Sequence, residues 1–232
     1  MKYCFLFAAL AVLIAQGDAQ GPVARLADGH PDLSGDGVWL PAPVADLAMN
    51  AAAGSNLPFQ GWARARFQVN RATPRNDLDL RCLPPGVPRI MLMARPFEIV
   101  QTPERIVFAY EGGAHVWRQV WMDGRAHPKD PNPNWLGHSI GHWEGDTLVV
   151  DSVGFNDRTW LDDAGHPHTE RLHVIERFSR TDASTMTYEV VIDDPGAYLR
   201  PWTSSNTLMF RPGEKLAEDI CLDKIQNVAT GK

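Results

Sequence analysis

A chain of 232 residues with net charge −6, in which 28 Asp and Glu outweigh 22 Lys and Arg, contains no basic cluster. Nucleic-acid binding draws its affinity from cations that neutralise phosphates, so that class of partner is excluded. Three cysteines and eight tryptophans are the distinctive features of an otherwise ordinary globular composition.

The N-terminus has the form of a Sec-type signal peptide over residues 1–19. Lys2 supplies a positive start, Cys4 to Ile14 an apolar run too short to span a bilayer, and Gly17-Asp18-Ala19 a small-residue cleavage site. Cleavage is expected after Ala19, giving a periplasmic or secreted protein. No later stretch is apolar enough to span a membrane, and the remaining length fits one β-rich domain. Cys82 and Cys221 stay behind. In an oxidising compartment an isolated pair is most simply a disulfide. A reactive Cys82 thiol beside Arg81 is the alternative, and the structural bridge is preferred.

Residues 20–79 read as an extended, loop-rich arm. Its first part is rich in Ala, Gly, Pro and Asp, and Pro31-Asp32-Leu33-Ser34-Gly35 is turn chemistry. A short helix is expected within Trp62–Asn76. Residues 80–232 read as an antiparallel β domain of short runs between turn signals. The predicted strands are Ile90–Met93, Phe97–Gln101, Ile106–Tyr110, Val116–Trp121, Ser139–Trp143, Thr147–Val153, Leu172–Phe178, Met186–Ile192 and Thr207–Phe210. Pro128, Pro131 and Pro133 make Ala126 to Asn134 a loop. About eight such strands close into a lipocalin-like barrel, the first choice, or into a two-sheet sandwich.

Gly137-His138-Ser139-Ile140-Gly141-His142-Trp143-Glu144-Gly145-Asp146-Thr147-Leu148-Val149-Val150-Asp151 is the most distinctive segment. Together with Val153-Gly154-Phe155-Asn156-Asp157-Arg158-Thr159-Trp160-Leu161-Asp162 it resembles a family of uncharacterised secreted bacterial proteins. Arg81-Cys82-Leu83-Pro84, Glu98 to Pro103, Met122 to Arg125, Glu176-Arg177-Phe178 and Asp193 to Gly196 resemble further blocks of that family. The resemblance spans roughly Leu80 to Cys221 and carries over no catalytic residues. The family mostly has arginine or lysine where this chain has His142, so no imidazole chemistry is assigned there.

Strand parity organises the candidate residues. A tight turn at Gly145-Asp146 sets Trp143 against Leu148 and His142 against Val149. His138, Ile140, His142, Val149 and Asp151 then share one face. In the next hairpin a five-residue loop, Thr181 to Thr185, sets Phe178 opposite Tyr188, Arg177 opposite Glu189 and His173 opposite Asp193. A four-residue loop would oppose Glu176 and Glu189, two like charges. His138 with Asp151 and His173 with Asp193 are the candidate acid–base pairs. Glu176 falls on the apolar face, where it is either paired internally or lies in a ligand cavity.

Trp135, Trp160 and Trp202 sit in proline- or aspartate-bearing loops and, with Asn156, Asp157, Arg158 and Arg177, are the candidate ligand contacts. His166-Pro167-His168 with Glu170 and His173 has the spacing of metal ligands in cupin-type barrels. Gly165 and Pro167 mark a loop, however, and no second ligand block follows, so neither metal nor organic cofactor is expected. Two functions stay open. One is a cofactor-independent acid–base enzyme (lyase, isomerase or hydrolase) on a hydrophobic or glycosidic substrate. The other is a non-catalytic binding protein for such a molecule.

Overall fold

The computed structural model describes residues 21–223, apart from positions 53, 55, 114 and 115. The expected signal peptide lies outside the described residues. Nine strands form one closed barrel in chain order: β1 (Gly37–Pro41), β2 (Phe97–Gln101), β3 (Arg105–Tyr110), β4 (Trp117–Trp121), β5 (His138–Glu144), β6 (Thr147–Val153), β7 (His173–Arg180), β8 (Thr185–Asp193) and β9 (Trp202–Pro212). β1 pairs with both β2 and β9 and closes the cylinder.

Both hairpin registers follow the alternation of apolar and polar side chains. His142 faces Val149 and Trp143 faces Leu148, with Gly145 in the left-handed region (φ 59°) at the turn. In the next hairpin Phe178 faces Tyr188, Arg177 faces Glu189 and His173 faces Asp193, which fixes the five-residue loop. A shift of one residue would expose the apolar set.

Four expectations are corrected. Gly37–Pro41, read as part of the arm, is a barrel strand, because Val38 and Trp39 are fully buried against the body. Ile90–Met93 is not a strand: a 3-10 turn spans Arg89–Met91, and its side chains bury beside the barrel. Trp202 is not in a loop; it opens β9 and is buried. The barrel is mixed instead of wholly antiparallel, since β4 and β5 run parallel through only two residue pairs, Val120 with Ser139 and Trp121 with Ile140. A parallel join needs a long crossover. Here residues 122–137, proline-bearing and irregular, provide it. Gly141 sits at this join because a Cβ there would lie 2.7 Å from Met122 Sδ and 2.8 Å from Val120 Cγ1.

Aromatic rings fill the interior. Phe178 lies 5.3 Å from Phe108 and 5.1 Å from Tyr188 between ring centroids, and Phe97 packs on Phe108 and Tyr110. Helix α1 (Gly61–Ala72), where a short helix was expected, packs outside the barrel through Ala63, Phe67 and Asn70. Asn70 Nδ2 donates to the Gly165 carbonyl at 2.9 Å. Cys82 and Cys221 form a disulfide across 139 residues, with Cα atoms 5.6 Å apart. Among the described residues no helix is long and apolar enough to cross a membrane. The disulfide fits an extracellular or periplasmic location.

Candidate acid–base site

The outer faces of β5, β6 and β7 carry His138, Asp151 and His173, three strands side by side. The crossover loop lays a fourth group over them. His127 Nδ1 lies 2.8 Å from His138 Nδ1, and His127 Nε2 lies 3.0 Å from Asp151 Oδ1. His173 Nε2 lies 2.8 Å from the same Asp151 oxygen. Asp151 is therefore the hub. His138 reaches it through His127, and His173 bonds to it instead of to the directly opposed Asp193. Sequence parity places three of these groups on one face; it misses His127, because a loop residue has no period to betray its direction. The weak signal for it was a histidine immediately before Pro128, in the loop that enters β5.

Hydrogen-bond arithmetic fixes the protons. Burial works to raise the Asp151 pKa, but the hydrogen bonds and charge of His173 and His127 outweigh it and pull the carboxyl below its ordinary 3.8. An ionised carboxylate only accepts, so His127 holds its proton on Nε2. With that tautomer the His127 Nδ1 accepts from His138 Nδ1–H. His138 Nε2 then keeps a free lone pair and has no partner among the described residues. Burial, and then the proximity of His127 and Arg125, lower the His138 pKa from 6.5. The bond to Asp151 raises that of His173 against the opposing effect of burial.

His138 opens on a cleft of about 550 Å³ lined by Trp117, Trp121 and Trp135. Trp117 is 62% exposed. Arg125 lies 3.6 Å over the Trp121 ring and Arg158 lies 4.6 Å over Trp135. Trp135 is held in place because Asn134 exchanges backbone hydrogen bonds with Gly154 and Asn156. Behind Trp135 a second cleft, about 420 Å³, is lined by Trp62, Arg66, Asp157, Arg158 and Trp160. Asn156 serves this wall indirectly, its Oδ1 accepting from the Arg158 backbone at 3.1 Å. His173 faces a third cleft of about 390 Å³ beside the proline loop. A larger cavity than these three clefts, about 730 Å³, lies beneath the arm around Trp143 and away from the Asp151 hub.

The remaining candidates are structural. Glu176 is fully buried and pairs with Arg118 Nη2, while Tyr188 donates to it at 3.0 Å. It is the internally paired carboxylate and stands apart from the clefts. Arg177 bonds Glu144 at 2.7 Å on the outer surface, away from the tryptophans. His166 and His168 are buried and point to different partners, Asp162 at 2.6 Å and Thr159 at 2.7 Å. Among the described residues Asp46, Asp162 and His166 have metal-ligand spacing. Asp162 already accepts four hydrogen bonds, from the Leu47, Gly165 and His166 backbones and the His166 ring, which accounts for its burial without an ion. Comparison with family models, with curated proteins and with solved structures finds no match for this chain.

Proposed function

We propose that this is an exported, cofactor-independent acid–base enzyme acting on a small hydrophobic or glycosidic molecule held in the tryptophan-lined cleft, with His138 moving the proton. The observation that carries the reading is the Asp151–His127–His138 chain, which ends at an unpartnered imidazole nitrogen beside an aromatic wall. When His138 Nε2 takes a proton from the bound molecule, its Nδ1 proton passes to His127. The imidazolium so formed faces Asp151. Reversal returns the proton to the product, as a lyase, isomerase or hydrolase requires. Export is supported by the composition of residues 1–19 and by the disulfide.

A screen of aromatic acids, esters and glycosides in D2O, followed by proton NMR for exchange or product, tests it. Turnover by the native chain should fall at least about 100-fold in His138→Ala, with the fold unchanged by circular dichroism. Activity should rise with pH as the depressed His138 pKa, below 6.5, is passed, because the neutral ring is the base. Full activity in His138→Ala removes the enzyme reading. Binding without turnover, lost in Trp135→Ala and kept in His138→Ala, would make the protein a carrier.

A further inference from the structure

The aromatic filling of the barrel stops short of one end. Phe97, Phe108 and Tyr110 pack along the inward rows of β2 and β3, and past them these rows finish at Gln101 and Ile106. On β5 the inward positions toward that end are Gly141 and Trp143. All four residues line the cavity of about 730 Å³, which is therefore the mouth of the barrel. The arm roofs it. Residues 24–32 double back as a tight hairpin, in which Arg25 bridges Pro31 and Gly29 takes φ 87° near the tip. The root of this hairpin is fixed. Leu33 N–H donates to Gln101 Oε1 at 2.9 Å, and Trp39 Nε1 donates to the Leu33 carbonyl at 2.8 Å. Nearer the tip the contacts are an exposed Arg25–Asp146 ion pair and the His30 ring stacked 4.7 Å from Trp143. An exposed ion pair holds weakly, so the tip can lift while the root stays anchored.

The lining decides the chemistry. Leu26, Ile106, Met122 and Trp143 give the mouth an apolar body, and no lysine or arginine lines it. Arg25 and Arg177 close by are already paired, with Asp146 and Glu144. An anion would meet the Asp28 carboxylate and no free cation. A cation would gain little, because Asp28 is exposed and its Oδ1 accepts the His30 backbone N–H of its own hairpin at 3.0 Å. Water is a poor occupant of so apolar a space, since each ordered molecule needs about three polar partners. The volume is that of a small-molecule pocket, and barrel mouths are a favoured place for one. We infer that the mouth is a second binding site, separate from the Asp151 hub, which takes a small uncharged molecule with an apolar body beneath the arm.

Titration with phenylnaphthylamine, an uncharged dye that brightens in apolar surroundings, and with its anionic relative anilinonaphthalene sulfonate provides the test. The native chain should bind the uncharged dye at least about tenfold more tightly than the anion. Ala27→Trp brings an indole from the exposed hairpin into the cavity. It should weaken the uncharged dye at least about tenfold, with circular dichroism unchanged. Trp143→Ala should weaken it similarly from the opposite wall. Trp135→Ala and His138→Ala, which alter the tryptophan cleft, should leave the affinity within about twofold. No binding of the uncharged dye overturns the inference, as does equal binding of the two dyes or full affinity in Ala27→Trp. Binding lost in Trp135→Ala but kept in Ala27→Trp places the dye in the other cleft and overturns it too. Because the dye reports on the mouth alone, failure of the acid–base reading at His138 leaves this site standing.

Discussion

At the scale of single residues, three imidazoles show how neighbours decide what one ring can do. His168 donates from Nδ1 to the Thr169 carbonyl at 3.1 Å and accepts the Thr159 hydroxyl at Nε2, so both nitrogens are satisfied in the neutral form. Burial pushes its pKa below 6.5, and the stability it contributes is present above that value and is lost as pH falls through the folded pKa. His173 has the opposite sign. Its pKa is raised, so its contribution is present below 6.5 and is lost as pH rises through the raised value. His138, lowered and facing a cleft, is free to exchange its proton. Asp151→Asn should drop the His173 pKa below 6.5, because the burial that opposes protonation remains when the carboxylate is gone. NMR titration of the ring protons measures this, and an unchanged His173 would break the link to Asp151. The same variant should lose the alkaline decline in unfolding midpoint.

At the scale of elements, one polar layer crosses the barrel interior. Arg118 on β4 donates to Ser139 on β5 at 3.0 Å, to Ser152 on β6 at 2.7 Å and to Glu176 on β7, with Tyr188 of β8 completing the row. A buried charge pair is a weak stabiliser when intact, but its rupture leaves an uncompensated ion. Glu176→Gln should therefore cost about 3–5 kcal/mol in denaturant unfolding, and a loss under 1 kcal/mol would refute the layer's role. Sequence reading shows why Glu176 needs a partner, and it cannot supply the partner's name. Strand order across the crossover joins Arg118 to Glu176, and hairpin parity carries no information beyond adjacent strands. The hairpin registers were legible because alternation and charge opposition both act between neighbours, as Arg177 with Glu189 illustrates. Trp202 and Gly37–Pro41 were misread for a related reason. A flanking Pro201, and a Gly–Val–Trp–Leu–Pro segment in a turn-rich arm, resemble loop chemistry until the body that buries them is present.

For the molecule as a whole, the disulfide ties the segment leading into the barrel to its C-terminal tail. Closing 139 residues is worth up to about 5 kcal/mol in the chain-entropy model. Replacing Cys82 and Cys221 together by serine should lower stability by about 2–5 kcal/mol while leaving cleft binding intact at 25 °C, measurable by chemical denaturation. No change in stability would mean that the tail adds nothing. Fold class and cysteine pairing were readable from the sequence because each follows from composition and spacing. The site was half readable: the strands set His138, Asp151 and His173 on one side, while His127 and Trp117 join them only through the crossover.

The short parallel join between β4 and β5 has one more effect. Past its two pairs the strand edges part company, exposing the tryptophan cleft at one end and the cavity beneath the arm at the other. Few backbone bonds are forfeited if this stretch is rebuilt, while the other strand interfaces keep the cylinder shut. If the tryptophan cleft is the proposed site, its selectivity can be redrawn at a single joint without renegotiating the architecture, and recognition there would be separate from what keeps the protein folded.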